Sequence, residues 1–180
     1  MVQYQRKLSL QSHRSAFTLI ELLVVIAIVG ILSSMLLVGI SRARQYSWKT
    51  QCLSNLRQIG QGLAIYHDNN DLYPNVTNYP SLGLNDLPSM PEAMEPYLER
   101  QIFRCGGDRE GIYEREQSSY EWNTFMSGKN EVHILKFYGV IMPGGSTEMG
   151  LMWDYEAFHG KPDALGSRNI VYMDGHSEGF

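Results

Sequence analysis

Cysteine, histidine and aspartate are the residue types that ligate zinc or run thiol chemistry, and Cys105, His159, Asp174 and His176 supply them here. Their spacing matches no ligand or nucleophile motif. The chain has no Cys-x2-Cys, no His-Glu-x-x-His and no glycine-rich phosphate loop. A Cys-His catalyst is therefore not expected, and Asp174-Gly175 reads as a turn in which the glycine supplies positive φ. A second group, Asp154, Glu156, Asp163, Asp174 and Glu178, offers carboxylates that suit a hard cation, without regular ligand spacing. Asp68-Asn69-Asn70-Asp71 offers oxygens as well and reads instead as a solvated helix exit, because Asn and Asp form turns. Cys52 and Cys105, the only cysteines, permit one pairing; a disulfide and two small buried thiols both fit, since sequence carries no Cα separation. The most unusual group is Glu21, the only charge in an otherwise apolar run.

That run, Phe17 to Leu37, is 21 residues long. At 1.5 Å per residue it makes a helix of about 32 Å, close to the hydrocarbon thickness of a bilayer. A carboxylate inside such a span costs on the order of 2.5 kcal/mol or more, so Glu21 is a functional candidate by position alone. Residues 1–16 are polar and basic, like the start of a secretory signal, but the apolar run is longer than the roughly 7 to 15 residues of a cleavable one and no small-x-small site closes it. Arg6, Lys7 and Arg14 before the span nearly balance Arg42, Arg44 and Lys49 after it, so charge counting leaves the orientation open. Arg42 and Arg44 suit headgroup anchoring.

Beyond Leu37 no proline occurs until Pro74, and Cys52, Leu56, Ile59, Leu63 and Tyr66 recur at spacings of three and four. The helix is expected to continue amphipathically over 38–67, with Lys49, Ser54, Arg57, Gln58 and Gln61 on its other face. Gly60 and Gly62 cost propensity there, which suits either a close-packed strand or a weak last turn. A proline-punctuated connection runs from Tyr73 to Pro96, with a short helix opening at Pro91. Short aromatic and β-branched runs then predict strands at Ser118–Asn123, His133–Met142, Leu151–Tyr155 and Asn169–Met173, with a turn at Met142–Ser146 and with Trp122, Phe137, Tyr138, Trp153 and Tyr172 in the core. The expected fold is α+β: a long N-terminal helix on a small antiparallel sheet. Without residues 1–16 the chain keeps 12 Lys+Arg against 19 acids, a net charge of −7, which argues against a nucleic-acid partner.

Ser15-Ala16-Phe17-Thr18-Leu19-Ile20-Glu21-Leu22-Leu23-Val24-Val25-Ile26-Ala27-Ile28-Val29-Gly30-Ile31-Leu32 resembles the N-terminal signal of type IV pilins and type II secretion pseudopilins. The resemblance implies that prepilin peptidase cuts between Ala16 and Phe17 and methylates the new Phe17 amine, and that Glu21 neutralises the N-terminus of a neighbouring subunit during assembly. Ala16 stands where the family has glycine, so slower or tolerated processing is expected. Further likeness, to a pilin-like subfamily of planctomycete and verrucomicrobial type, lies in Cys52–Gly60, Tyr73-Pro74, Phe103–Cys105, Ser118–Asn123 and Asn169–His176. That subfamily carries His-x9-Asp-Gly; here 14 residues separate His159 from Asp174, as a loop insertion around 161–167 would produce.

The implied protein is a non-enzymatic subunit of a type II secretion pseudopilus or type IV pilus-like fibre. Its partners are like subunits, the peptidase, the assembly machinery and lipid. Residues 1–16 form the leader, 17–37 the membrane or fibre-core helix, 38–67 its continuation, and 68–180 an extracytoplasmic domain on a single-pass inner-membrane anchor. No cofactor is required; the calcium held by major pseudopilins makes Asp154, Asp163 and Asp174 the candidate ligands for one. The competing reading is a membrane-anchored binding or enzymatic domain that does not polymerise.

Overall fold

The computed structural model describes residues 17–83, 86–138, 145–161 and 164–180 of the chain. It is α+β, with a long N-terminal helix packed against a four-stranded antiparallel sheet. The order is α1 (Leu19–Asn70), α2 (Met90–Ala93), α3 (Ile112–Glu116), β1 (Tyr120–Trp122), α4 (Glu131–Tyr138), β2 (Gly150–Asp154), β3 (Asn169–Tyr172) and β4 (Ser177–Gly179). Two compact units divide it, Met1–Ser41 and Arg42–Phe180.

In the first unit the described residues are Phe17, Thr18 and the start of α1. From Phe17 to Ile40 the large apolar side chains that the structure describes are exposed, Ile20 at 74% and Met35 at 70% among them. The Ser34 and Ser41 hydroxyls donate back to the carbonyls of Ile31 and Leu37, which hides them from an apolar surrounding.

In the second unit α1 is one-sided, as its spacing predicts. Cys52, Leu56, Ile59 and Leu63 are fully buried, and the core they enter includes Phe103, Tyr120, Trp122, Met152 and Val171. A Cβ on Gly60 would lie 2.7 Å from Val171 Cγ2, and one on Gly62 2.7 Å from Leu98 Cδ1. Both glycines are therefore close-approach positions, Gly60 toward β3, and their helix-propensity cost is offset by packing. The polar face is less idle than its residue types suggest: Lys49 Nζ donates to Gly166 O at 2.6 Å and Arg57 Nε to Ser177 Oγ at 2.8 Å. The helix runs three residues past the expected end and stops where Asp71, at φ +58°, donates its N–H to His67 O at 2.7 Å.

The sheet is a meander in the order β1-β2-β3-β4, every neighbour antiparallel. Register places Tyr120 opposite Asp154 and Val171 opposite both Met152 and Ser177. The strand expected over 133–142 is instead the helix α4 as far as Tyr138; the remainder, with the expected turn residues 142–144, lies outside the described residues. The cause is a cap. Asn130 Oδ1 accepts the His133 N–H at 2.8 Å, Glu131 sits in the first turn, and Ile134 alone among residues 131–136 is fully buried. Trp122 is in the core, whereas Trp153 and Tyr172 are half-buried and bond Glu121 and Glu178 through their polar atoms.

Candidate functional site

Thr18 and Glu21 start the long helix together. Leu22 N–H donates to Thr18 O at 3.3 Å, and Glu21 N–H to Thr18 Oγ1 at 3.3 Å. In return the Thr18 N–H and hydroxyl each donate to Glu21 Oε2 at 2.8 Å. This reciprocal pair is a capping box on Thr18-Leu19-Ile20-Glu21, and it satisfies donors that the first turn of a helix leaves open. The carboxylate thus has a local task within its own chain, and Oε2 carries both bonds. Its setting is apolar: Leu19, Ile20, Leu22 and Leu23 around it are all exposed. An uninterrupted apolar surface of this length calls for lipid or for other protein rather than water. Phe17 is 75% exposed; Ala16, the other expected processing residue, lies outside the described residues.

The Arg42–Phe180 unit holds a buried polar cluster. Cys52 and Cys105 are joined, with S–S 2.17 Å and Cα–Cα 5.1 Å, so α1 is tied to the loop after Phe103. That loop is positioned by hydrogen bonds. Asn55 Nδ2 donates to Arg104 O at 3.1 Å, Cys105 N–H to Ser119 Oγ at 3.1 Å, and Ser119 Oγ to Asp108 Oδ2 at 2.8 Å. Gly107 N–H points at Cys105 Sγ from 3.4 Å. Against this sulfur lies His159 Nε2 at 3.5 Å, and the same nitrogen is 3.3 Å from Asp154 Oδ2. The His159 and Asp154 side chains are 1% and 0% exposed. Asp154 Oδ2 also accepts the Asn169 N–H at 2.7 Å, while Asp154 Oδ1 and both polar atoms of the Asn169 side chain have no partner among the described residues. Burial pushes the Asp154 carboxyl above the usual carboxylate range, against the opposing pull of the His159 hydrogen bond and charge.

This cluster is not a thiol-catalysis relay. A relay needs the carboxylate on one ring nitrogen and the sulfur on the other, whereas here both face Nε2 and the sulfur is bonded to Cys52.

The other residues singled out above stand apart. Asp174 and His176 sit in the β3–β4 hairpin, where Gly175 has φ +87°, His176 Nδ1 is 2.5 Å from Asp174 Oδ1, and the imidazole stacks on Tyr172 at 4.2 Å. The Asp174-Gly175 turn is as expected. Asp154 bonds the first residue of β3 and Asp174 lies two residues past its last, so roughly 10 Å of strand or more separates them at about 3.3 Å per residue. They cannot share one ion, and Asp163 lies outside the described residues. Asp68 and Asp71 are exposed at the helix exit. The buried Asp154–His159 pair is the feature that sequence reasoning missed: Asp154 read only as a cation-binding oxygen, and no local pattern announced its histidine.

Compared with known protein families, residues 11–37 match the prokaryotic N-terminal methylation motif. The matched segment spans the Ala16-Phe17 junction, the capping box and the exposed apolar turns of α1. No curated protein and no solved structure matches the chain.

Proposed function

We propose that the chain is a structural subunit of a pilus-like fibre, of the type II secretion pseudopilus or type IV pilus kind. Prepilin peptidase removes residues 1–16, the Phe17 amine is methylated, and subunits stack through the apolar part of α1. One observation carries this reading: over its described part, 17–37, the methylation motif falls on a stretch whose large apolar side chains are exposed. In the inner membrane those side chains meet lipid, and in the fibre they meet each other. Glu21 then acts between subunits, its carboxylate opposite a neighbour's N-terminal ammonium, where two charges in an apolar core are tolerated as a pair and costly singly. Residues 68–180 form the domain displayed outside the cytoplasm, where an oxidising compartment suits a Cys52–Cys105 disulfide.

A second reading has one observation of its own. The capping box gives Glu21 a task that needs no neighbour, as a membrane-anchored domain that never polymerises requires. Mechanical shearing of cells separates the two. A fibre subunit is released into the pelletable sheared fraction in cells with the assembly machinery and stays with the membrane in cells lacking it. Full retention in the membrane under both conditions would replace the fibre by the anchored domain.

A further inference from the structure

The cluster around Cys105 brings together Cys52 on α1, Cys105 in the loop after Phe103 and His159 beyond β2, with Asp154 at the end of β2 against the imidazole. The potential ligand atoms of Cys52, Cys105 and His159 all lie within 4.8 Å of one another. We propose that Cys52, Cys105 and His159 form a three-ligand zinc site in the dithiol state of the protein, its fourth position held by a water that Asp154 accepts from, and that the disulfide is the metal-free alternative of the same site.

Geometry carries this first. At Zn–S of about 2.3 Å and Zn–N of about 2.05 Å, tetrahedral angles put S and N about 3.6 Å apart. The observed Cys105 Sγ···Nε2 distance is 3.5 Å, and Asp154 Oδ2, 3.3 Å from Nε2, stands beside the site rather than in its ligand set. Both contacts use one ring nitrogen, which bears at most one proton and so serves one of them at a time. A metal ion in the proton's place serves the sulfur, and a water bound to it serves the carboxylate. With the S–S bond cleaved, the sulfurs separate to the third edge of the tetrahedron, about 3.8 Å.

The surroundings add two independent points. Gly107 N–H is aimed at Cys105 Sγ from 3.4 Å; a disulfide sulfur is a poor acceptor and a thiolate a good one, so this donor suits a metal-bound thiolate. Among the described residues Asp154 Oδ1 and the Asn169 amide are buried without partners, which is unusual for a finished polar core. Two thiolates and an imidazole form a donor set that selects zinc over calcium or magnesium. An approach exists through the cleft of about 440 Å³ lined by Gly107, Phe158 and His159.

The chain leaves the ribosome with two thiols, so the zinc state needs no reductant. Binding displaces the two thiol protons to solvent. Oxidation by a protein disulfide, which is itself reduced to its dithiol with uptake of two protons, forms the Cys52–Cys105 bond and releases the ion. The site belongs to the Arg42–Phe180 unit and does not depend on the fibre reading.

The test uses the full chain in detergent. A phosphine reductant cleaves the S–S bond, taking oxygen from water as phosphine oxide and leaving two thiols; it is removed anaerobically before zinc is added. The expected result is one zinc retained per reduced chain and none per oxidised chain, with both cysteines shielded from alkylation. X-ray absorption at the zinc edge then shows two sulfur and two nitrogen or oxygen neighbours, with the scattering of a coordinated imidazole. Asp154→Asn and His159→Gln each weaken zinc in chelator competition by about tenfold or more, the least that disturbing a ligand or a partner hydrogen-bonded to one costs. No zinc retained by the reduced wild-type chain, or a zinc edge without imidazole, overturns the proposal whether or not the variants fold.

Discussion

Glu21→Gln leaves α1 capped and the leader removed, and abolishes recovery of the protein in sheared fibres. Glutamine serves in a capping box as glutamate does, because its carbonyl accepts the Thr18 N–H that Glu21 Oε2 accepts at 2.8 Å. What it lacks is charge. On the proposed reading a neighbour's N-terminal ammonium is then buried without a counter-ion, at about 3 to 5 kcal/mol per contact, or more than a hundredfold in subunit affinity. Glu21→Ala removes the cap as well, at a further cost of about 1 kcal/mol in helix initiation. The two variants should therefore fail equally in shearing and differ only in the first turn of the helix. Fibres from Glu21→Gln in wild-type amount, with loss confined to Glu21→Ala, would mean that the carboxylate is a cap and nothing more.

Replacing both Cys52 and Cys105 by alanine has the largest expected effect on the Arg42–Phe180 unit. The bridge spans a sequence separation of 53 residues. For a loop of that length the chain-entropy account gives roughly 4 kcal/mol, within the range of about 2 to 5 kcal/mol seen when native disulfides are removed. Both residues are at or near zero exposure, so two small cavities add to the loss. Urea unfolding of the full chain in detergent, followed by tryptophan fluorescence, should show a lowered midpoint in the reduced wild-type protein without metal and a somewhat lower one in the double variant, which adds the two cavities. An unchanged midpoint in both would remove the disulfide from the stability of this unit. Zinc added to the reduced wild type, and not to the double variant, should restore part of the loss, since a metal bound only by the folded state stabilises it.

How much of this was legible beforehand depends on whether a signal is local. Cys52, Leu56, Ile59 and Leu63 were readable as one buried face because a helix brings residues three and four apart together whatever else the chain does. Thr18-x-x-Glu21 is equally local, a capping box that three-residue spacing alone can announce, although a lone charge in an apolar run is the more conspicuous property of Glu21. Ile134 and its neighbours show the limit of periodicity: a short apolar run fits helix and strand alike, and the Asn130 cap, two residues outside the apolar pattern, decided for helix. Strand β4, Ser177–Gly179, has no β-branched or aromatic residue to announce it and exists because β3 pairs with it. Asp154 and His159 meet Cys105 only after the meander closes, so no spacing rule reaches them.

The central claim is that the Ala16–Phe17 junction is a processing site and Glu21 an intermolecular partner. Intact-mass and N-terminal peptide mass spectrometry of the protein from its native membrane tests it most directly. The account predicts a chain that begins at Phe17 with a methylated amine. A chain that retains residues 1–16 would contradict it and leave an anchored domain in place of a fibre subunit.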